Sequence, residues 1–179
     1  TSINDLQNVL TENNQMLAFE PPVFTGKDSI GGILACGLSG PRRPYIGSAR
    51  DFVLGCTLLN GKAEKLKFGG QVMKNVAGYD VARLMVGAFG TLGVILEISL
   101  KVLPKPAMES TLMLQLSETE ALERVNTLAS KPLPLSASCY SDGIMYLRFS
   151  GSEHAVQAAC RRIGGEALSK AEDFWLSVR

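Results

Sequence analysis

Glycine is the residue type through which this sequence could do chemistry: 14 of its 18 glycines fall between Gly26 and Gly93. Small side chains expose amide N–H groups and let the backbone approach a phosphate closely. The first cluster runs from Thr25 to Gly40, with small residues at 29, 31, 32, 35, 37, 39 and 40. The second comprises Asn75-Val-Ala-Gly-Tyr-Asp80 and Gly87-Ala-Phe-Gly-Thr-Leu-Gly-Val-Ile95, where glycines recur every third residue ahead of an apolar run. Composition leaves two readings open, cofactor or phosphate contact and plain tight turns. The common nucleotide motifs are absent. No two glycines are separated by one residue, which excludes G-x-G-x-x-G, and neither Gly26-Lys27-Asp28 nor Gly61-Lys62-Ala63 completes a P-loop.

Other reactive side chains are sparse. Cys36, Cys56, Cys139 and Cys160 lie 20, 83 and 21 residues apart, without a C-x-x-C and with one histidine, His154, in the chain. Neither a zinc site nor a disulfide framework is expected, and the thiols read as reduced and buried in a cytoplasmic protein. His154 lies on the polar side of a helical stripe and reads as a surface residue. Lysine and arginine number 18 against 17 acidic residues, so no basic field exists to hold a nucleic-acid backbone. With 46% hydrophobic and 20% charged residues the 179-residue chain is globular, and no run approaches the roughly 18 apolar residues of a membrane span. The start at Thr1 and the end at Arg179, just past Phe174-Trp175, read as the limits of an internal fragment.

Two regions must position these residues, 1–106 and 107–179, joined at Leu103-Pro104-Lys105-Pro106, where proline disfavours regular pairing. In the first, Ser2 caps a helix carrying Ile3, Leu6, Val9 and Leu10 at helical spacing. Met16 to Phe19 and Phe52 to Leu59 read as strands, and Asn60-Gly61 as a two-residue hairpin turn into a strand from Glu64 to Phe68. Asp80 to Val86 reads as a short helix with Val81, Leu84 and Met85 inward. Val94, Leu96, Ile98, Leu100 and Val102 then share the inward face of a long strand.

In the second region Thr111 to Leu116 alternates as a strand, and Ala121, Leu122, Val125, Leu128 and Ala129 form a helical stripe. Ala137 to Tyr140 and Ile144 to Phe149 pair across Ser141-Asp142-Gly143. Ala155, Val156, Ala159, Cys160 and Ile163 form a second stripe, and a last strand belongs near Glu166. The order strand, helix, strand, strand, helix opens a split βαβ sandwich, and the class is α+β.

Ser29-Ile-Gly-Gly-Ile-Leu-Ala35 with Gly40 downstream resembles the I-G-G segment of the PCMH-type FAD-binding fold, the vanillyl-alcohol-oxidase superfamily. Ala77-Gly-Tyr-Asp80, Leu84, Gly87 and Gly90-Thr-Leu-Gly-Val-Ile95 resemble a stretch of its D-2-hydroxy-acid dehydrogenase branch. With Phe19-Glu-Pro-Pro22 ahead, the chain looks like the FAD-binding subunits of glycolate oxidases, strongly from Leu17 to Pro106 and loosely beyond.

The resemblance implies the second subdomain of a PCMH-type FAD-binding domain followed by an incomplete ferredoxin-like cap, with the first FAD-binding subdomain outside this sequence. It puts Ser29, Ile30, Gly31, Gly32, Ala35 and Gly40 on FAD, with backbone N–H groups as anion donors. Gly90, Thr91, Gly93, Val94 and Ile95 follow on the adenosine side. Tyr79 either contacts the cofactor or fills the core beneath it, and Arg50 and Lys74 either balance phosphate charge or face water. The implied activity is FAD-dependent oxidation of glycolate to glyoxylate, with electrons passed onward. The implied partners are a paralogous flavoprotein subunit and an iron-sulfur subunit, attached peripherally to the inner membrane. No catalytic residue or metal ligand is assigned to this chain. The rival reading is an assembly subunit that keeps the fold without a functional flavin.

Overall fold

In a computed structural model of the chain, residues 1–70 and 78–179 are described. Lys74 and the start of the second glycine cluster, through Ala77, lie outside them. The chain divides into two units: residues Thr1–Gly40 with Gly47–Pro104, and Pro41–Ile46 with Lys105–Arg179.

The first unit begins with α1 (Ile3–Glu12), whose first turn is capped by the Ser2 hydroxyl accepting from the Asp5 amide at 3.1 Å. The strand expected over Met16–Phe19 shrinks to β1 (Gln15–Met16), because Leu17 to Glu20 close a turn in which the Glu20 amide donates to the Leu17 carbonyl. Glu20 ends that turn at φ 50° and is buried. Then follow α2 (Ile30–Cys36), a 3₁₀ turn at Ala49–Phe52, and an antiparallel sheet of β2 (Val53–Leu59), β3 (Lys65–Gly69) and β4 (Val94–Leu100) in the order β3-β2-β4. β5 (Leu103–Pro104) returns to pair with β1. Ile3, Phe19, Leu34, Phe52, Val53 and Met85 are among its most buried apolar side chains, and the Phe19 and Phe52 rings lie 5.7 Å apart.

Three local expectations change. The β2–β3 turn spans Asn60 to Glu64: the Asn60 side chain accepts from the Lys62 and Glu64 amides, and Ala63 takes a left-handed φ of 59°. α4 (Val81–Leu84), capped by Asp80, buries Ala82, with Met85 just beyond it, while Leu84 faces out. The β2–β4 register shifts between Thr57↔Glu97 and Leu58↔Ile95, leaving Leu96 as the extra residue of a bulge and bringing Ile95 onto the face of Ile98 and Leu100, so Val94 and Leu96 are 59% and 47% exposed instead of buried.

The second unit contains α3 (Arg43–Ile46), β6 (Met108–Gln115), α5 (Glu118–Ala129), β7 (Leu135–Ser141), β8 (Ile144–Gly151), α6 (Glu153–Ile163), β9 (Glu166–Ala167) and α7 (Ala171–Val178). Its sheet order is β7-β8-β6-β9. β9 fills the fourth position for two residues only, and α7 is an element the spacing did not reveal. Leu112, Leu147 and Phe149 pack one sheet face against Ala121 and Leu128 of α5 and Val156 and Ala159 of α6. Ser117 and Glu120 form a reciprocal capping box at the start of α5, and Ser152 caps α6. His154 is exposed on α6.

Candidate functional site

Ser29 starts α2 by accepting from the Gly32 amide at 3.1 Å. Gly37 ends it in the left-handed conformation, φ 68°, so that the chain turns out of the helix without a Cβ clash. The second glycine segment docks on this end. The Gly87 amide donates to the Leu34 carbonyl at 3.0 Å, and the Phe89 amide to the Ala35 carbonyl at 2.8 Å. A Cβ on Gly37 would sit 3.2 Å from the Gly87 Cα. Two segments some fifty residues apart in sequence thus share a backbone seam.

At the other end of α2, its N-terminus, lies a cavity of about 540 Å³. Ser29, Ile30 and Gly31 line it from α2, and Ile95, Ile98 and Leu100 from β4. Its walls are mainly apolar. The lining holds no lysine or arginine and one carboxylate, Glu97. The Thr57 hydroxyl, donating at 3.1 Å, holds that carboxyl below the usual range, with help from Lys65 at 3.5 Å. Gly31 has open space where a Cβ would stand.

The remaining expected site residues are placed differently. Gly32 sits behind the cap, a Cβ there meeting the Ser29 hydroxyl at 3.2 Å, and Ala35 contributes its carbonyl to the seam. Gly40 packs on Glu20 and donates to the Phe19 carbonyl at 2.8 Å. Gly90 and Thr91 form the turn before β4, where the Thr91 hydroxyl donates to the Ala88 carbonyl at 2.7 Å. Gly93 passes so close to β2 that a Cβ would meet the Leu59 carbonyl at 2.8 Å. Val94 and Tyr79 are exposed, the latter 78%, and neither lines the cavity; Arg50 is exposed as well. The amides of Ile30, Gly32 and Gly40 already donate to Thr1, Ser29 and Phe19, so they do not form an anion cradle.

Sequence reasoning missed a polar network in the second unit. Arg42, 6% exposed, pairs with Glu109, which also accepts from Ser150. Arg148, 3% exposed, donates through Nε to Ser136 at 3.2 Å and lies over the Trp175 ring. The position of Arg148 opposite Thr111 in β6 was the available signal, since both alternate away from the apolar residues of their strands.

No family model matches the chain. All 179 residues are 46% identical to the glycolate oxidase subunit GlcE of Escherichia coli (strain K12), of which they cover 51%. Over 108 residues, 59% of this chain and 23% of the relative, it is 34% identical to the glycolate oxidase subunit GlcD of Bacillus subtilis (strain 168). Among solved structures, an alkyldihydroxyacetonephosphate synthase superposes with a TM-score of 0.66 at 17% identity, over 89% of this chain and 37% of that one, so the two share a fold. The chain spans about half of the length of its 46%-identical relative, and along that whole span it is a homologue of a glycolate oxidase subunit.

Proposed function

We propose that this chain forms part of the FAD-binding face of a glycolate oxidase subunit, within a complex that oxidises glycolate to glyoxylate and passes the electrons onward. The observation that carries the reading is the shared cavity, where Ser29, Ile30 and Gly31 of the first glycine segment meet Ile95 at the end of the second. A flat, uncharged ring fits it. The walls are apolar, Gly31 leaves room for close approach, and Glu97 disfavours a phosphate there. About 540 Å³ takes one ring system of FAD, and the rest of that pocket belongs to the half of the subunit that this chain does not span.

Bound FAD supplies two-electron acceptance, chemistry that is the cofactor's own. This chain's residues bind and orient. Ile30 and Ile95 exclude water, the Ser29 cap fixes the start of α2, and the ionised Glu97 turns the charged part of a dinucleotide away from the cavity. His154, the chain's one histidine, is remote from this cavity in sequence and exposed, and proton abstraction from substrate is assigned to a paralogous flavoprotein subunit. An iron-sulfur subunit completes the path for electrons. Among the described residues no helix is long and apolar enough to cross a membrane. The proposed setting is the cytoplasm, with the complex held peripherally at the inner membrane by its other subunits.

The test is a visible absorbance spectrum of the full-length subunit and of this chain, each incubated with FAD and desalted. Flavin bands are expected in the full-length subunit and little retention in this chain. Bands in neither would overturn the reading in favour of an assembly subunit.

A further inference from the structure

Phe89 departs from two expectations at once. Its φ is 52°, a left-handed conformation that is costly for a bulky side chain, and its ring is 73% exposed. The backbone is fixed there. The Phe89 amide donates to the Ala35 carbonyl at 2.8 Å and the Gly87 amide to the Leu34 carbonyl at 3.0 Å, while Gly87 and Gly90 are themselves left-handed, at φ 81° and 74°. A held turn thus projects an aromatic ring into water, a combination that costs stability unless something covers the ring. The same stretch leaves Tyr79, Leu84, Leu92 and Val94 exposed, so five of the fourteen large apolar side chains exposed among the described residues fall within 79–94. None of the five lines the cavity at the N-terminus of α2, and the Phe89 turn docks on the other end of that helix. A ring seated in the cavity leaves this turn uncovered.

The length of the subunit points to what covers it. The chain spans about half of its 46%-identical relative, and ten of the fourteen exposed side chains belong to the first unit. A protein half taken without the rest exposes the apolar surface on which the rest packs. We infer that the Phe89 turn is a docking surface for the remaining half of the full-length subunit, with the Phe89 ring as its anchor together with Leu92 and Val94. The inference does not depend on flavin in the cavity.

Glycine and asparagine both adopt a left-handed φ at low cost, so Phe89→Gly and Phe89→Asn remove the ring and keep the turn. Urea midpoints are measured for wild type and both variants, in this chain and in the flavin-stripped full-length subunit. In this chain both variants are expected to leave the midpoint unchanged or to raise it, because the ring is exposed and the strain is relieved. In the full-length subunit both should lower it, by roughly 1 M for a ring that is buried there. An unchanged midpoint in the full-length subunit overturns the inference, and so does an equal fall in both proteins, which would place the work of the ring inside this chain. A fall seen only after FAD is added assigns the ring to the cofactor, and a fall seen only in the complex with other subunits assigns it to a partner. A wild-type midpoint of this chain that drops on dilution, with both variants insensitive to concentration, assigns the ring to a second copy. Each of these three results overturns the inference as well.

Discussion

The Phe89 amide donates to the Ala35 carbonyl at 2.8 Å, two residues along each segment from the point where a Cβ on Gly37 would stand 3.2 Å from the Gly87 Cα. This seam gives the two glycine segments one structural purpose. Gly37 combines φ 68° with a tight approach, so a Cβ there presses on Gly87. Gly37→Val is therefore expected to cost roughly 1–3 kcal/mol through left-handed strain, with further loss from the collision. Urea unfolding measures it, and an unchanged midpoint would show that the seam does not hold the turn.

Gly31 and Gly32 are neighbours in different surroundings, and on the proposed function this separates cofactor binding from folding. A side chain at Gly31 has open space and projects where the cavity is lined, whereas one at Gly32 presses on the Ser29 cap. In the full-length subunit Gly31→Val should lower retained flavin severalfold with the unfolding midpoint nearly unchanged. Gly32→Val should lower stability, by about 1 kcal/mol if the cap is lost. Equal flavin content in wild type and a folded Gly31→Val protein would remove Gly31 from the site.

Much of the fold was legible. Ser2 announces the start of α1, and strict alternation in β6 and β8 sets their inward faces. Alternation also marked β4 as a strand, but it does not show where the pairing slips, and the bulge at Leu96 left Val94 and Leu96 open. Of the candidate cavity, Ser29 to Gly31 and Ile95 were already named together among the expected site residues. Gly40 and Gly93 were not separable from them, because a glycine demanded by a nearby carbonyl is the same letter as one demanded by a ligand. The Arg42–Glu109 and Arg148–Trp175 contacts join residues 67 and 27 positions apart, which no local pattern encodes.

The cysteines offer a further check, since their surroundings differ although all four are free. Cys36 is exposed, contrary to the buried thiol expected from composition. Burial pushes the Cys56 thiol up, with the nearby Asp80 charge adding to it, and burial alone raises Cys139. Only thiolate reacts quickly. Titration with a disulfide reagent at neutral pH should modify Cys36 first and Cys56 last, with all four reached after denaturation. Rapid native-state modification of Cys56, found by peptide mapping, would contradict its placement in β2.

The acid side of the stability curve depends on Asp28. The Thr25 amide, donating at 2.8 Å, is the main reason its carboxyl lies below the ordinary value of 3.8, and the Phe24 amide adds to it at 2.9 Å. A carboxyl whose folded value is depressed binds its proton more weakly in the native state than when unfolded. Its contribution to stability is therefore fully present well above 3.8 and is lost as pH falls through the lower folded value. Glu97 and Glu120 are shifted in the same direction by the Thr57 and Ser117 hydroxyls, and they add to the same acid slope. Asp28→Asn keeps an acceptor oxygen for the Thr25 and Phe24 amides but cannot titrate. The variant should be somewhat less stable at neutral pH, because a neutral acceptor bonds less strongly than a carboxylate. The difference from wild type should shrink steadily below about 3.8 as the wild-type carboxyl protonates. Urea midpoints measured for both proteins from neutral to acid pH supply the comparison, and parallel curves would show that Asp28 does not carry its share of the acid sensitivity.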